Sequence, residues 1–236
     1  AMTLVLGVDR ACLPKLALVW PTWMNLKPEL RDWPILVIHD ESVDPPCSEL
    51  EFLADHQKLR FVPWSLHGEV TQREKMLTAF VHATARHVET PWYLKLDVDV
   101  VATKPGRWIE PEWFVPNAEG KRPVFVASPW GYTKPANALE QLDQWGDWIG
   151  DLRRYPRLEI PSAPGAECLH HPRIASWCFF GDTAWTRDVA AYAPGRLPCP
   201  SHDTYLFYCA ARRRDHYVRV RMSKFGWRTI SGSQRR

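Results

Sequence analysis

Short apolar runs alternate with stretches of helical period through the first hundred residues. Leu4 to Val8 reads as a strand, and Leu13 to Leu26 carries apolar residues at helical spacing with Pro14 acceptable in its first turn. Pro34-Ile-Leu-Val-Ile-His39 is a second strand, closed by the polar cluster Asp40-Glu-Ser-Val-Asp44, and Leu59 to Trp64 is a third. Thr71 to Val88 reads as a helix with Met76, Leu77, Phe80, Val81 and Thr84 on one face, and Thr71 with Glu74 forms a capping box at its start. The next strand, Trp92 to Leu96, runs into Asp97-Val-Asp99. Strands alternating with helices predict βαβ units and an α/β fold, Rossmann-like, with a mainly parallel central sheet flanked by helices.

After Val101 the chain becomes rich in Pro and Trp. Lys104-Pro-Gly106 and Trp108-Ile-Glu-Pro-Glu-Trp113 read as a loop-rich crossing. Val124 to Ser128 and Ser176 to Phe180 are expected strands, separated by a helix over Leu139 to Ile149 and an irregular stretch from Tyr155 to Arg173. Prolines at 156, 161, 164 and 172 keep that stretch from being one regular element. A helix over Thr204 to Arg213 and a strand over Tyr217 to Met222 follow. One domain over 1–236 is expected, divided into a half at 3–101 and a half at 102–236 that ends in basic sequence.

Composition changes this picture little: 45% hydrophobic and 24% charged residues in a chain of 236 suit one sizeable core. No apolar run reaches the roughly 18 residues of a membrane span, and the N-terminus lacks a basic leader with a cleavage site, so a cytoplasmic location is expected. The six cysteines contain no C-x-x-C pair and are read as reduced, with Cys168 beside His170 and His171 as the minor zinc alternative. The net charge of +3 is uneven, because from Tyr205 onward nine Lys or Arg face one acid, Asp215. Such an end is a solvated basic face, an anion site for a phosphate-rich ligand, or a peripheral contact with an anionic membrane surface; no nucleic-acid motif accompanies it, so no nucleic acid is expected.

The candidate chemistry sits at Asp97 and Asp99. Residues two apart on a strand share a face, so the pair can present two carboxylates to one cavity at the carboxyl edge of a buried strand, where open α/β sheets bind ligands. Mg²⁺ or Mn²⁺ takes one or two protein carboxylates while diphosphate oxygens and water complete its shell. The same tripeptide is also common in solvated turns.

With these residues in view, the chain resembles the GT-A family of nucleotide-sugar glycosyltransferases over about residues 3 to 222. Pro34 to Asp44 looks like the family's second strand and the acidic turn after it, which contacts the nucleoside. Arg73 ahead of Trp92-Tyr-Leu-Lys-Leu-Asp-Val-Asp-Val100 is similar to a basic residue facing the donor, and Lys95 recurs in some members. The resemblance implies a GT-A-like single domain, a metal at Asp97 and Asp99, and a donor, UDP-sugar being expected, contacted by Asp9, Asp40, Asp44, Arg73, Lys95, Asp97 and Lys224. Pro200-Ser-His-Asp-Thr-Tyr-Leu206 looks like the family's acidic element at a helix start, which implies Asp203 as general base of an inverting transfer to a saccharide or other hydroxyl acceptor. Asp203 or Ser201 would equally cap that helix. His202, Trp130 and Trp177 are acceptor candidates, as are Trp145 and Trp148, although most of the thirteen tryptophans are expected in the core. Two features depart from the family: no histidine follows the last expected strand, and Ser176 to Gly181 lacks the usual preceding glycine pair. The metal would then rest on Asp99 and the diphosphate, with Lys224 or Arg228 neutralising charge. Two other readings remain: a haloacid-dehalogenase-like phosphatase with Asp97 as nucleophile, Asp99 as acid and Asp182 as a later acidic group, and a non-catalytic nucleotide-sugar-binding module.

Overall fold

The computed structural model describes residues 1–40, 43–45, 47–53, 56, 58–63, 72–132, 172–192, 216–220 and 227–229. Strand β1 (Met2–Val8) pairs in parallel with β2 (Ile35–His39) on one side and with β4 (Trp92–Leu96) on the other. β3 (Leu59–Pro63) extends the sheet beyond β2. β6 (Arg122–Tyr132), β7 (Pro172–Asp182) and β8 (His216–Val220) complete seven strands in the order β3-β2-β1-β4-β7-β6-β8. β7 alone among them runs against its neighbours. The expected α/β fold with a mainly parallel sheet is what the chain adopts.

Local sequence explains the elements. β2 is buried at every position and β4 at four of five, as befits strands covered on both faces. Helix α1 (Leu13–Leu26) buries Leu13, Leu16, Val19, Trp20 and Trp23, one stripe at helical spacing, and takes Pro14 in its first turn. It ends where the Lys27 N–H returns to the Trp23 carbonyl and Pro28 opens a 3-10 turn, Pro28–Asp32. Helix α2 (Gln72–His87) lies where the capping box predicts it.

Several elements lie beyond the sequence expectations. Helix α3 (Thr183–Tyr192) is anchored by Asp182, whose carboxylate accepts the Trp185 N–H at 2.8 Å and pairs with Arg122. Short β5 (Val100–Ala102) pairs antiparallel with β9 (Trp227–Thr229) in a separate two-stranded sheet. Further 3-10 turns span Arg10–Cys12, Ser48–Leu53 and Pro111–Phe114. β6 and β7 are each eleven residues long, against five expected, and their pairing shifts register around Pro129, a residue that cannot donate to a ladder. The helices expected at Leu139 to Ile149 and Thr204 to Arg213 lie outside the described residues. No helix among the described residues is long and apolar enough to cross a membrane.

Two apolar layers flank the sheet. On the α1 side, Trp23, Trp108, Trp113, Trp177 and Trp227 join Leu4, Leu6, Leu94, Leu96 and Phe180 in one core. The buried Lys27 ammonium sits 5.2 Å from the Trp108 ring and 5.7 Å from the Trp227 ring, and burial lowers its pKa. On the other face, Phe80, Tyr93, Phe125 and Phe179 stack with centroids 4.5 to 6.5 Å apart. The Tyr93 hydroxyl reaches the Thr186 hydroxyl at 3.1 Å, and its ring lies directly over Gly181.

A methyl group at Gly181 would stand 2.3 Å from the Tyr93 ring, so Gly181→Ala is expected to cost about 3 kcal/mol in urea unfolding, the upper part of the overpacking range. Partial burial lowers the pKa of His82, and burial together with Arg60 and Arg86 lowers that of His87. Between each folded value and the ordinary 6.5 the unfolded chain binds more protons, so both histidines reduce stability as pH falls below about 6.5. Urea midpoints at pH 7.5 and 5.5 should therefore differ less in the His82→Gln/His87→Gln variant than in the parent.

Candidate active site

Chain direction gathers the acidic residues. β1, β2 and β4 are parallel, so the residues that follow them emerge on one edge: Asp9 after β1, Asp40 after β2, and Asp97 with Asp99 after β4. The sheet order places β2 and β3 to one side of β1 and β4 to the other, making the β1–β4 boundary a topological switch point, where such sheets take their ligands. Asp9 and Asp97 flank it.

Each carboxylate has a distinct setting. Asp9 accepts the Cys12 N–H at 2.8 Å and so shapes the turn into α1; partial burial and this acid raise the Cys12 thiol to a pKa of about 11. Asp40 is 7% exposed, with its N–H on the Val8 carbonyl at 3.2 Å and its own carbonyl taking the Val43 N–H at 3.1 Å, a turn that closes the end of β2. Asp44 is exposed. Asp97 and Asp99 are half-buried.

The acidic pair does not lie on a strand, which corrects the alternation from which it was predicted. β4 stops at Leu96, the Asp97 N–H goes to the Trp177 carbonyl at 2.8 Å, and the Val100 N–H returns to the Asp97 carbonyl at 3.2 Å. Asp97 and Asp99 therefore stand within one tight turn, the setting the sequence held open as the alternative. The chain leaves that turn into β5, which α1 holds from behind: the Trp23 indole N–H donates to the Val100 carbonyl and the Thr22 hydroxyl accepts the Ala102 N–H at 3.1 Å.

Lys95 is not an open donor contact. Its side chain is 6% exposed and its ammonium is ion-paired with the Asp97 carboxylate. Trp177 is corrected too: its ring is 7% exposed and packed in the α1-side core, so it offers no face to an acceptor, and its backbone carbonyl anchors Asp97 instead. Of the other candidates, Arg73 is placed as backbone in α2 and Trp130 as backbone in β6. Asp203, His202 and Lys224 lie outside the described residues, as do Trp145, Trp148, Cys168, His170 and His171. Cys12, Cys47 and Cys178 form no disulfide. Cys178, to which the sequence assigned no role, lies buried in the α1-side core opposite Leu96; burial pushes its thiol pKa well upward, so it stays neutral.

Asp182 lies far from this edge. It pairs with Trp92 at the start of β4, whereas Asp97 follows the end of that strand, about 16 Å away at about 3.3 Å per residue. With Asp182 committed to the α3 cap and Arg122, it cannot join Asp97 in the acidic set a phosphatase needs. Two cavities lined by described residues also lie on the opposite edge. One, of about 450 Å³, is bordered by Trp20, Met24, Phe52, His56 and Lys58; the other, of about 630 Å³, by Met2, Trp92, Ile109 and Phe114.

The donor set at the acidic turn suits a hard divalent cation. Asp97 and Asp99 supply oxygen and are open to solvent on one side, and no set of three His, Cys, Asp or Glu that could hold an ion assembles among the described residues. That is the chemistry of Mg²⁺ or Mn²⁺ held by one or two carboxylates, with ligand oxygens and water for the rest, and unlike that of a closed zinc site.

Removing the charge of Asp97 strands the Lys95 ammonium. Asp97→Asn is expected to lower unfolding stability by about 2 kcal/mol, less than the loss for a fully buried pair because Asp97 is part-exposed. Lys95→Met/Asp97→Asn should recover most of it in the same urea titration.

No family model matches the chain, and no curated protein matches it in sequence. Solved structures do match in shape. Mouse xyloside xylosyltransferase 1, in its apo form, superimposes with a TM-score of 0.51 at 13% identity, over 93% of this chain and 84% of that one. The bifunctional glycosyltransferase WbbM gives 0.50 at 7% identity, over 93% and 38%. The galactosyltransferase LgtC, solved with donor and acceptor sugar analogs, gives 0.46 at 14% identity over 79% of this chain, which spans 60% of LgtC's length. In architecture, the chain has the GT-A-like fold of the glycosyltransferases.

Proposed function

We propose that this chain is a metal-dependent glycosyltransferase that moves a sugar from a nucleoside-diphosphate sugar, UDP-sugar being the expected donor, to a hydroxyl of a saccharide or other acceptor. The single observation that carries this reading is the tight turn bearing Asp97 and Asp99 at the switch point of a GT-A-like sheet. Asp9 and Asp40, on the neighbouring strand ends, suit hydrogen bonding to a nucleoside, with Asp44 and Arg73 as outer donor contacts. The whole chain would work as one domain, its donor half at 3–101 and its acceptor half at 102–236, since β4, β6 and β7 belong to one sheet.

Asp99, assisted by Asp97, would hold the ion. The chemistry a bound Mg²⁺ or Mn²⁺ supplies is neutralisation of charge on the departing diphosphate. Arg228, exposed on β9 opposite Val101, is close enough in sequence register to this turn to add a second positive charge, and Lys224 precedes it. In the transfer itself the acceptor oxygen forms a bond to the anomeric carbon while the bond to the diphosphate oxygen breaks and its electron pair leaves with the diphosphate. Asp203 takes the hydroxyl proton, and a single displacement in which the acceptor enters opposite the departing diphosphate inverts the anomeric carbon. His202 and Trp130 are the acceptor contacts in this scheme.

UDP is expected to raise the melting temperature in the presence of Mn²⁺ and not in excess chelator, with the shift growing as the logarithm of UDP concentration. An equal shift with chelator would remove the metal. Asp203→Asn is expected to lower transfer at least about a hundredfold, the lower range for loss of a general base, while UDP affinity stays within about twofold. Full transfer by that variant would return Asp203 to a helix cap, and donor binding without any transfer or hydrolysis by the parent would make the chain a binding module.

A further inference from the structure

Lys95 stands where an apolar residue would serve the fold better. Its strand neighbours are Val5 and Phe179, and Tyr93, two residues earlier on the same face, belongs to the aromatic layer. The ammonium lies 6.0 Å from the Phe179 ring centroid. Burying an ammonium there carries a desolvation cost that an unbranched apolar side chain would avoid. What the lysine provides in return is charge: its ammonium meets Asp97, one of the two acids of the turn.

We propose that Lys95 is a resident counter-cation that sets how tightly, and in what company, the acidic turn takes a divalent ion; this rests on reading the turn as a metal site. The Lys95 ammonium offsets about one unit of the negative charge that the two carboxylates bring to the turn. A free divalent ion then meets a weak site, and the ion binds well only together with a diphosphate that brings its own negative charge. Lys95 is thus a positioning residue: through its ion pair it holds Asp97 toward the sheet. It makes metal and nucleotide uptake mutually dependent.

The test is a Mn²⁺ titration followed by electron paramagnetic resonance, with and without saturating UDP, on the parent and on Lys95→Met, Lys95→Gln and Lys95→Arg. Removing one positive charge about 6 Å from a divalent ion in a water-like medium is expected to tighten Mn²⁺ binding without UDP by about five- to tenfold. The enhancement that UDP gives to Mn²⁺ binding should shrink by a similar factor in Lys95→Met and Lys95→Gln, whereas Lys95→Arg stays near the parent. A lysine that only fills space would leave Mn²⁺ affinity unchanged in all variants. Lys95→Gln covers the case in which Lys95→Met fails to fold, as judged by circular dichroism. If the parent binds Mn²⁺ with UDP but the neutral variants bind free Mn²⁺ no more tightly, the role of Lys95 is overturned and the metal site stands. If the parent binds no Mn²⁺ even with UDP, both fall.

Discussion

Parallel pairing of β1 with β2 and with β4 is the constraint on which the remainder of the acidic edge depends. A parallel strand must be re-entered from the same end, so each strand's last residue faces the same side of the molecule. Asp9, Asp40 and the Asp97 turn come together because of direction alone, although most of a hundred residues separate the first from the last. The hydrophobic burial that fixes this arrangement is ordinary: apolar strands without a polar face have nowhere to go except between two layers. The gathering of carboxylates at the exit is a by-product of how those layers are wired.

Charge management follows from that gathering. Carboxylates crowded at one edge repel, and the molecule answers in two ways. The Asp9 carboxylate accepts the Cys12 N–H at the turn into α1, and Asp97 is matched by the lysine that precedes it by two residues.

The first hundred residues were legible because their elements are strongly periodic and separated by polar punctuation. Helix α1 has the bounds that Leu13 to Leu26 predicts, and β4 those of Trp92 to Leu96. The turn geometry at Asp97 was not legible, because Leu-Asp-Val-Asp-Val continues the alternation of a strand, and only the return of the Val100 N–H to the Asp97 carbonyl ends it. Trp177 looked like a platform for a sugar because aromatic residues read alike from sequence whether they face a ligand or a core. α3 was missed although Asp182 announces it, since the cap sits on the last residue of a strand. The β5–β9 pair was invisible because three-residue strands carry no period of their own. The assignments to Asp203, His202 and Lys224 rest on sequence.

The pairing of β5 with β9 sets an order on folding. β5 joins none of the seven strands of the main sheet; its ladder partner is synthesised more than half a chain length later. β1 to β4 can assemble while the chain is being made, using contacts close in sequence, but the exit from the acidic turn gains its ladder only when Trp227 arrives and buries itself against Trp23 and Trp108. A chain lacking β9 would carry the acids with β5 held by α1 alone, without the ladder on its other side.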